Sequence, residues 1–299
     1  MTRLLNRSGE ALSSLRGPEL TDAIRASEGR TVLAEVVAGA PALLNGTSNA
    51  ELVAAFGADL ICLNLAEPGA GRVLVEGLEE VDPPPRGFSG LAGFLGRPVG
   101  LNLEPDIDSV PAAFRASPAN VGAAEAAGAA FVMVTANPGR GVTIEDLESA
   151  VRTVRRTAEG TLCWAGKMHH AGAEEPLGRK SVARLIAAGA QGALVPVPGT
   201  VPGISEGLAA DMVEEARSAG ALAIGTIATS QEGADSHTLR QLALCAKRIG
   251  VDVHHIGDAG FSGLASPESL YAYSVAARGI RHTWNRMARG TRASWTGKE

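Results

Sequence analysis

Short apolar runs rich in branched residues alternate along this chain with longer stretches whose apolar positions recur at helical spacing. Five junctions between the two share one phrase: FGADLICLNL, AAGAAFVMVT, AAGAQGALVPV, SAGALAIGTI and IGVDVHHIGD. In each, a helical stretch runs into a glycine (Gly57, Gly128, Gly189, Gly220 or Gly250) and a strand begins shortly after it. Glycine stops a helix well because it enters the left-handed cap conformation without a Cβ clash. The apolar runs show little polar alternation, the mark of strands buried on both faces. Helix, glycine stop and buried strand in repetition predict parallel β–α units.

The pattern predicts strands at 31–39, 59–65, 98–105, 130–138, 161–170, 192–199, 222–230 and 251–260. The helices that follow them read SNAELVAAFGA, GLAGFLG, NVGAAEAAGA, TIEDLESAVRTVRRTAEG, RKSVARLIAAGA, SEGLAADMVEEARSAGA, SHTLRQLALCAKRIG and SPESLYAYSVAARGIRHTWNRMARG. Ser48 caps the first, and Thr143, with Asp146 three residues on, caps the fourth. Eight strand–helix alternations in 299 residues suit a (β/α)8 barrel. A doubly wound open sheet would show fewer strands and a G-x-G-x-x-G fingerprint after the first, and this chain has none. The expected fold is therefore α/β, a (β/α)8 TIM barrel over 31–299, with an amphipathic helical extension at 1–30 closing its amino-terminal mouth. The Gly/Pro-rich segment from Pro68 to Gly90 is the longest loop, and its place after the second strand suits a lid.

Composition narrows the partners more than the fold. A net charge of −5 argues against a nucleic-acid face, and aromatics at 4% supply no stacking platform for bases. No stretch approaches the length of a membrane helix, and the polar amino terminus does not read as a signal peptide. Cys62, Cys163 and Cys245 are scattered and odd in number, as expected of reduced core thiols in a cytoplasmic protein. The expected partner is a small metabolite, with self-association into a homo-oligomer open.

In a parallel barrel the chemistry sits at the carboxyl ends of the strands. A polar residue inside an apolar strand must be paired there or used there, because burying it costs free energy. This chain places such residues near most strand ends: Glu35, Asn64, Asn102 with Glu104, Thr135 with Asn137, Lys167 with His169 and His170, Thr226, and His254, His255 and Asp258. Lys167 ends the apolar run LCWAG, so its amine is expected toward the barrel axis. There it could form a Schiff base, act as a base, bind an anion, or pair with Glu35 or Asp258. Strand parity groups Lys167 with His169, and His254 with Asp258, setting His255 opposite. Glu35, Asp258, His169 and His254 are thus candidates to move protons beside Lys167. Asn64, Asn102, Glu104, Thr135, Asn137 and His255 are candidates to bind substrate. The same carboxylates and histidines could ligate a divalent metal, although the first strand lacks the HxH of metal-dependent barrel hydrolases. No cofactor is required by this reading.

Two loops suit a phosphate. ATSQEGADS follows the seventh strand and GDAGFSGLASPES the eighth, the recurrent phosphate position of this fold. Thr229, Ser230, Gly257, Ala259 and Gly260 are the expected contacts, since small residues let backbone N–H groups approach an anion. The stiff loop PVPGTVPGIS after the sixth strand is expected to wall the pocket with Thr200.

The phrases GKMHHAG, VPVPGTVPGI, GTIATSQEGAD, VHHIGDAGFSG and RGIRHTWNRMA, taken in order, resemble a poorly characterised bacterial family of (β/α)8 proteins. Its members are often encoded near sugar phosphotransferase components, and some carry a generic hydrolase label. The resemblance runs from ASEGRTVLAEVV to the final helix and implies a barrel, more loosely one of the phosphate-binding kind. It brings no catalytic residue with it. Together these readings predict an enzyme acting on a small phosphorylated carbonyl or sugar-phosphate compound by lyase (aldolase-like) or isomerase chemistry. A metal-dependent hydrolase and a non-catalytic sugar-phosphate sensor or transport-system partner are the alternatives.

Overall fold

A computed structural model describes residues 2–68, 75–170, 172–173 and 175–290. Eight strands form a closed barrel in chain order: β1 Thr31–Val37, β2 Leu60–Asn64, β3 Val99–Leu103, β4 Phe131–Val134, β5 Leu162–Ala165, β6 Gly192–Pro196, β7 Leu222–Ile227 and β8 Val253–Ile256. Neighbours pair in parallel, and β8 returns to β1 with His255 opposite Leu33. Two short helices, α1 Glu10–Ser13 and α2 Gly17–Arg25, precede the barrel. Around it run α3 Asn49–Ala55, α4 Gly87–Leu95, α5 Pro118–Ala126, α6 Ile144–Thr157, α7 Arg179–Ala187, α8 Glu206–Ser218, α9 Ser236–Ile249 and α10 Pro267–Arg289. The barrel expected from the repeating pattern is the observed fold.

All five junction glycines adopt positive φ, between 75° and 115°. The helices start where their caps predict: Ser48 opens α3 and Thr143 opens α6, each with a reciprocal bond to the acid three residues on. The strands are shorter than their apolar runs. β5 ends at Ala165 rather than 170 and β8 at Ile256 rather than 260, with one more ladder bond past each, Gly166 to Val134 and Gly257 to Ile227. The last helix is not continuous: Gly279, at φ 80° and ψ 160°, breaks α10 into two rods.

Parity decides what the barrel holds. Leu33, Leu60, Phe131, Leu162, Trp164, Leu222, Ile224 and Val253 fill its lower interior, where Phe131 stacks on Trp164 with centroids 4.4 Å apart. Gly100 leaves the room that Phe131 takes: a Cβ there would lie 2.4 Å from the ring. Leu4, Leu12, Leu15, Leu20 and Ile24 join this cluster and plug the amino-terminal end, as the extension at 1–30 was expected to do. Each such leucine contributes roughly 1.5–3 kcal/mol by leaving water. With the lower layers apolar, the polar side chains that point inward are concentrated at the carboxyl-end mouth. The described part of the long loop after β2 packs there: Val75 and Leu78 are buried, and the Glu76 amide bonds the Ala38 carbonyl at 2.9 Å. Residues 69–74 of the expected lid lie outside the described residues. Among the described residues no helix is long and apolar enough to cross a membrane.

Candidate active site

Glu35 on β1 and His255 on β8 meet inside the mouth, His255 Nε2 donating to Glu35 Oε2 at 2.7 Å. Both are buried. The other carboxylate oxygen, Oε1, accepts from Asn102 Nδ2 on β3 at 2.8 Å, and Asn102 Oδ1 accepts from the Thr135 hydroxyl after β4 at 2.7 Å. The chain of bonds Thr135–Asn102–Glu35–His255 thus spans half the barrel. It holds the imidazole through one nitrogen and leaves His255 Nδ1 buried without a partner. The Cys62 thiol lies 3.9 Å from Glu35 Oε1, and burial and that carboxylate push its pKa well up, so it stays a thiol.

A second acid stands beside the first. Asp258, just past β8, accepts from Asn64 Nδ2 at 2.8 Å. Burial and then the charge of Glu35 push its pKa up to about 7. A third, Glu232, comes from the single 3-10 turn Gln231–Gly233 after β7. It is fully buried, and neither carboxylate oxygen makes a well-formed hydrogen bond. Burial raises its pKa as well, against a lowering by its own backbone amide, by His255 and by the Ala259 amide. The sequence reading passed over Glu232, because QEGADS has the look of an ordinary charged turn. What signalled it was its position, in a loop already marked as part of the mouth.

Two expected residues turn the other way. Lys167 points out of the barrel, its amine bonding the Val142 and Ala173 carbonyls at 2.9 and 3.3 Å and Glu175 Oε2 at 3.4 Å. It has the outward parity of Cys163 and Ala165, whereas Met168 joins the interior cluster. His254 also faces outward, between the Tyr273 hydroxyl at 3.2 Å and the Gly29 carbonyl at 3.1 Å, and burial lowers its pKa to about 4. The mouth-side position expected of it is held by His255. Asp258 escapes strand parity because it lies beyond the end of β8.

Glu104 and Asn137 form a separate cluster on the β3–β4 side. Glu104 accepts from the Asn137 amide and side chain, both at 2.8 Å, with Arg140 Nε 3.8 Å away. His169 is half-buried nearby, its pKa lowered by burial and then by Lys167. In the loops expected to hold phosphate, the Thr229 hydroxyl already bonds the Thr200 carbonyl at 2.7 Å, and the Gly257 amide bonds Ile227 at 2.8 Å. Ser230 sits at φ 74°, and Gly257 and Gly260 pack against the Glu232 turn. Thr200 bonds its own loop at Val197, and Thr226 bonds the Val195 carbonyl of β6. Among the described residues no group of three His, Cys, Asp or Glu is arranged to hold a metal ion.

The fold and this site define a (β/α)8 barrel with a buried acid–histidine centre at the carboxyl ends of its strands. The chain belongs to the DUF7916 family, a domain of unknown function that matches residues 5–293. No curated protein matches it in sequence. Among solved structures it is similar to a Schiff-base-forming fructose-1,6-bisphosphate aldolase, at 14% identity and a TM-score of 0.51, over 86% of this chain and 98% of that one. A candidate fructose-1,6-bisphosphate aldolase from Coccidioides immitis matches at 13% and 0.51, over 94% and 99%. A candidate dihydrodipicolinate synthetase from Pseudomonas aeruginosa matches at 13% and 0.50, over 88% and 81%. At these identities the likeness is one of fold.

Proposed function

We propose that this protein is a lyase or isomerase that moves a proton on a small carbonyl compound at the carboxyl-end mouth of its barrel. The observation that carries the reading is the buried Glu35–His255 pair at 2.7 Å. Glu35, itself held by Asn102, fixes the imidazole with its proton on Nε2. That leaves the lone pair of Nδ1 as a base for a C–H next to a carbonyl. Asp258, with its pKa about 7, is suited to return a proton near neutral pH. An isomerisation uses these steps directly; in an aldolase-like cleavage the base takes the β-hydroxyl proton, the C–C bond pair becomes the enolate, and the acid protonates its carbon. Lys167 has no part in this reading, because its amine is turned outward and already bonded.

The finer part of the proposal is a phosphate on the substrate, held by the loops after β7 and β8 around Ser230, Ala259 and Gly260. Small carbonyl compounds, both 2-oxo acids and sugar phosphates, should exchange the hydrogen beside the carbonyl for deuterium when incubated with the protein in heavy water. Proton NMR reads this directly. His255→Asn and Glu35→Gln should slow exchange by about 10²–10⁴-fold, the usual worth of a positioned acid or base. Borohydride trapping should leave Lys167 unmodified. A wild-type protein that exchanges no carbonyl compound, and instead hydrolyses a substrate or only binds a sugar phosphate, would overturn the reading.

A further inference from the structure

Glu232 is the buried group that the Glu35–His255 pair does not use. It is fully buried, and neither side-chain oxygen makes a well-formed hydrogen bond. The charged or titratable side chains that act on it come from three elements: His255 on β8, Glu35 on β1, and Asp258 in the loop after β8. No lysine or arginine is among them. A carboxylate in such a place gives up its hydration, the backbone amides of Glu232 and Ala259 offset only part of that loss, and the charge of Glu35 adds to it. The less costly state is the neutral carboxyl, which has an O–H to donate.

The backbone around Glu232 is shaped to hold it there. A Cβ on Gly257 would lie 2.6 Å from Glu232 Oε1, and a Cβ on Gly260 3.2 Å from its backbone carbonyl carbon. The glycines of the loop after β8 therefore make room for the Glu232 turn. We propose that Glu232 is a further catalytic residue, an uncharged carboxyl that donates a hydrogen bond to the carbonyl oxygen of the substrate. As His255 Nδ1 removes the proton from carbon, the C–H pair becomes the enolate π bond and negative charge moves to that oxygen. A donor already in place stabilises it. Because Glu232 is uncharged, it also tolerates an anionic substrate group near these loops. The inference rests on the carbonyl reading above and names the partner of its oxyanion.

Infrared spectroscopy of the substrate-free protein tests the protonation without reference to activity. Below neutral pH two neutral buried carboxyls should absorb in wild type, of which one component is lost in Asp258→Asn and the other in Glu232→Gln. A spectrum that Glu232→Gln leaves unchanged shows the group ionised and overturns the proposal, whatever the exchange assay finds. In the exchange assay, Glu232→Ala should lower kcat by about 10²–10³-fold with little change in KM, the loss expected for one oxyanion donor. Glu232→Gln, which keeps an N–H donor of similar shape, should recover most of that loss. It should also lack the fall in rate that wild type shows as rising pH ionises Glu232. Full activity in Glu232→Ala would overturn the donor role. Absence of exchange in wild type would overturn the carbonyl reading instead, and leave the infrared result standing.

Discussion

At the scale of single residues, the decisive feature is how the mouth distributes protons among its acids. Asp258 has a folded-state pKa of about 7, far above that of an unfolded aspartate. A carboxyl raised in this way binds more protons folded than unfolded between those two values, so stability falls as pH rises through that window. Asp258→Asn removes the effect and keeps an oxygen to accept from Asn64. The variant should be more stable than wild type at and above neutral pH and little different below about pH 4, near the unfolded value. Thermal melts across pH check this, and a wild type that gains stability from pH 5 to 8 relative to the variant would contradict it. Glu35, Asn64, Asn102, Thr135 and Asp258 were legible in the sequence because each interrupts or ends an apolar run. Lys167, His254 and His255 were not correctly oriented, and the reason is physical. A strand buried on both faces is apolar on both, so the sequence carries no alternation from which to tell inside from outside.

Elements were easier to read than their faces. The glycine stops and the helix caps are local chemistry, and they recur where the chain needs them whatever the tertiary context. Strand ends were overestimated because a ladder needs a neighbour, which no single segment encodes. Lys167 shows what an outward residue at a strand end does instead. Its amine joins the Val142 and Ala173 carbonyls to Glu175, and Glu175 Oε2 in turn accepts from the Ile144 amide at the start of α6. The loops after β4 and β5 are pinned together over the rim by this one ammonium. Lys167→Met should therefore lower stability by roughly 1–3 kcal/mol, the cost of leaving buried hydrogen-bonding groups unmatched. Exchange chemistry at His255 should persist. A Lys167→Met protein of unchanged melting temperature but no exchange activity would return the lysine to the chemistry.

Across the whole molecule, the two chain ends are tied under the barrel by one buried carboxylate. Asp59, entering β2, receives Arg278 and Arg286 at 2.5 Å each and the Val32 amide at 2.9 Å. Arg286 also bonds the Leu4 and Arg7 carbonyls, and Arg278 reaches the Gly57 carbonyl. The break at Gly279 redirects α10 between these two arginines, which explains why a run that reads as one helix is two. Nothing in the sequence announces the cluster, since an aspartate after a glycine stop looks like a turn residue and the arginines lie more than two hundred positions away. Burial alone would raise the Asp59 carboxyl, but Arg278, Arg286, the Val32 amide and Arg97 together hold its pKa below the ordinary value. A carboxylate lowered in this way adds stability that is present above its unfolded pKa and lost as pH falls through the folded one. Asp59→Asn leaves two buried guanidinium groups without their counter-charge, and should cost about 3–5 kcal/mol at neutral pH. The loss should shrink on acidification, because wild type then surrenders the same interaction. Denaturant midpoints measured at neutral and acid pH read both effects, with hydrogen exchange at residues 4–7 rising alongside. A neutral-pH midpoint that Asp59→Asn leaves in place would mean that the apolar plug alone holds the ends, and that the arginine cluster is incidental to the closure of the barrel.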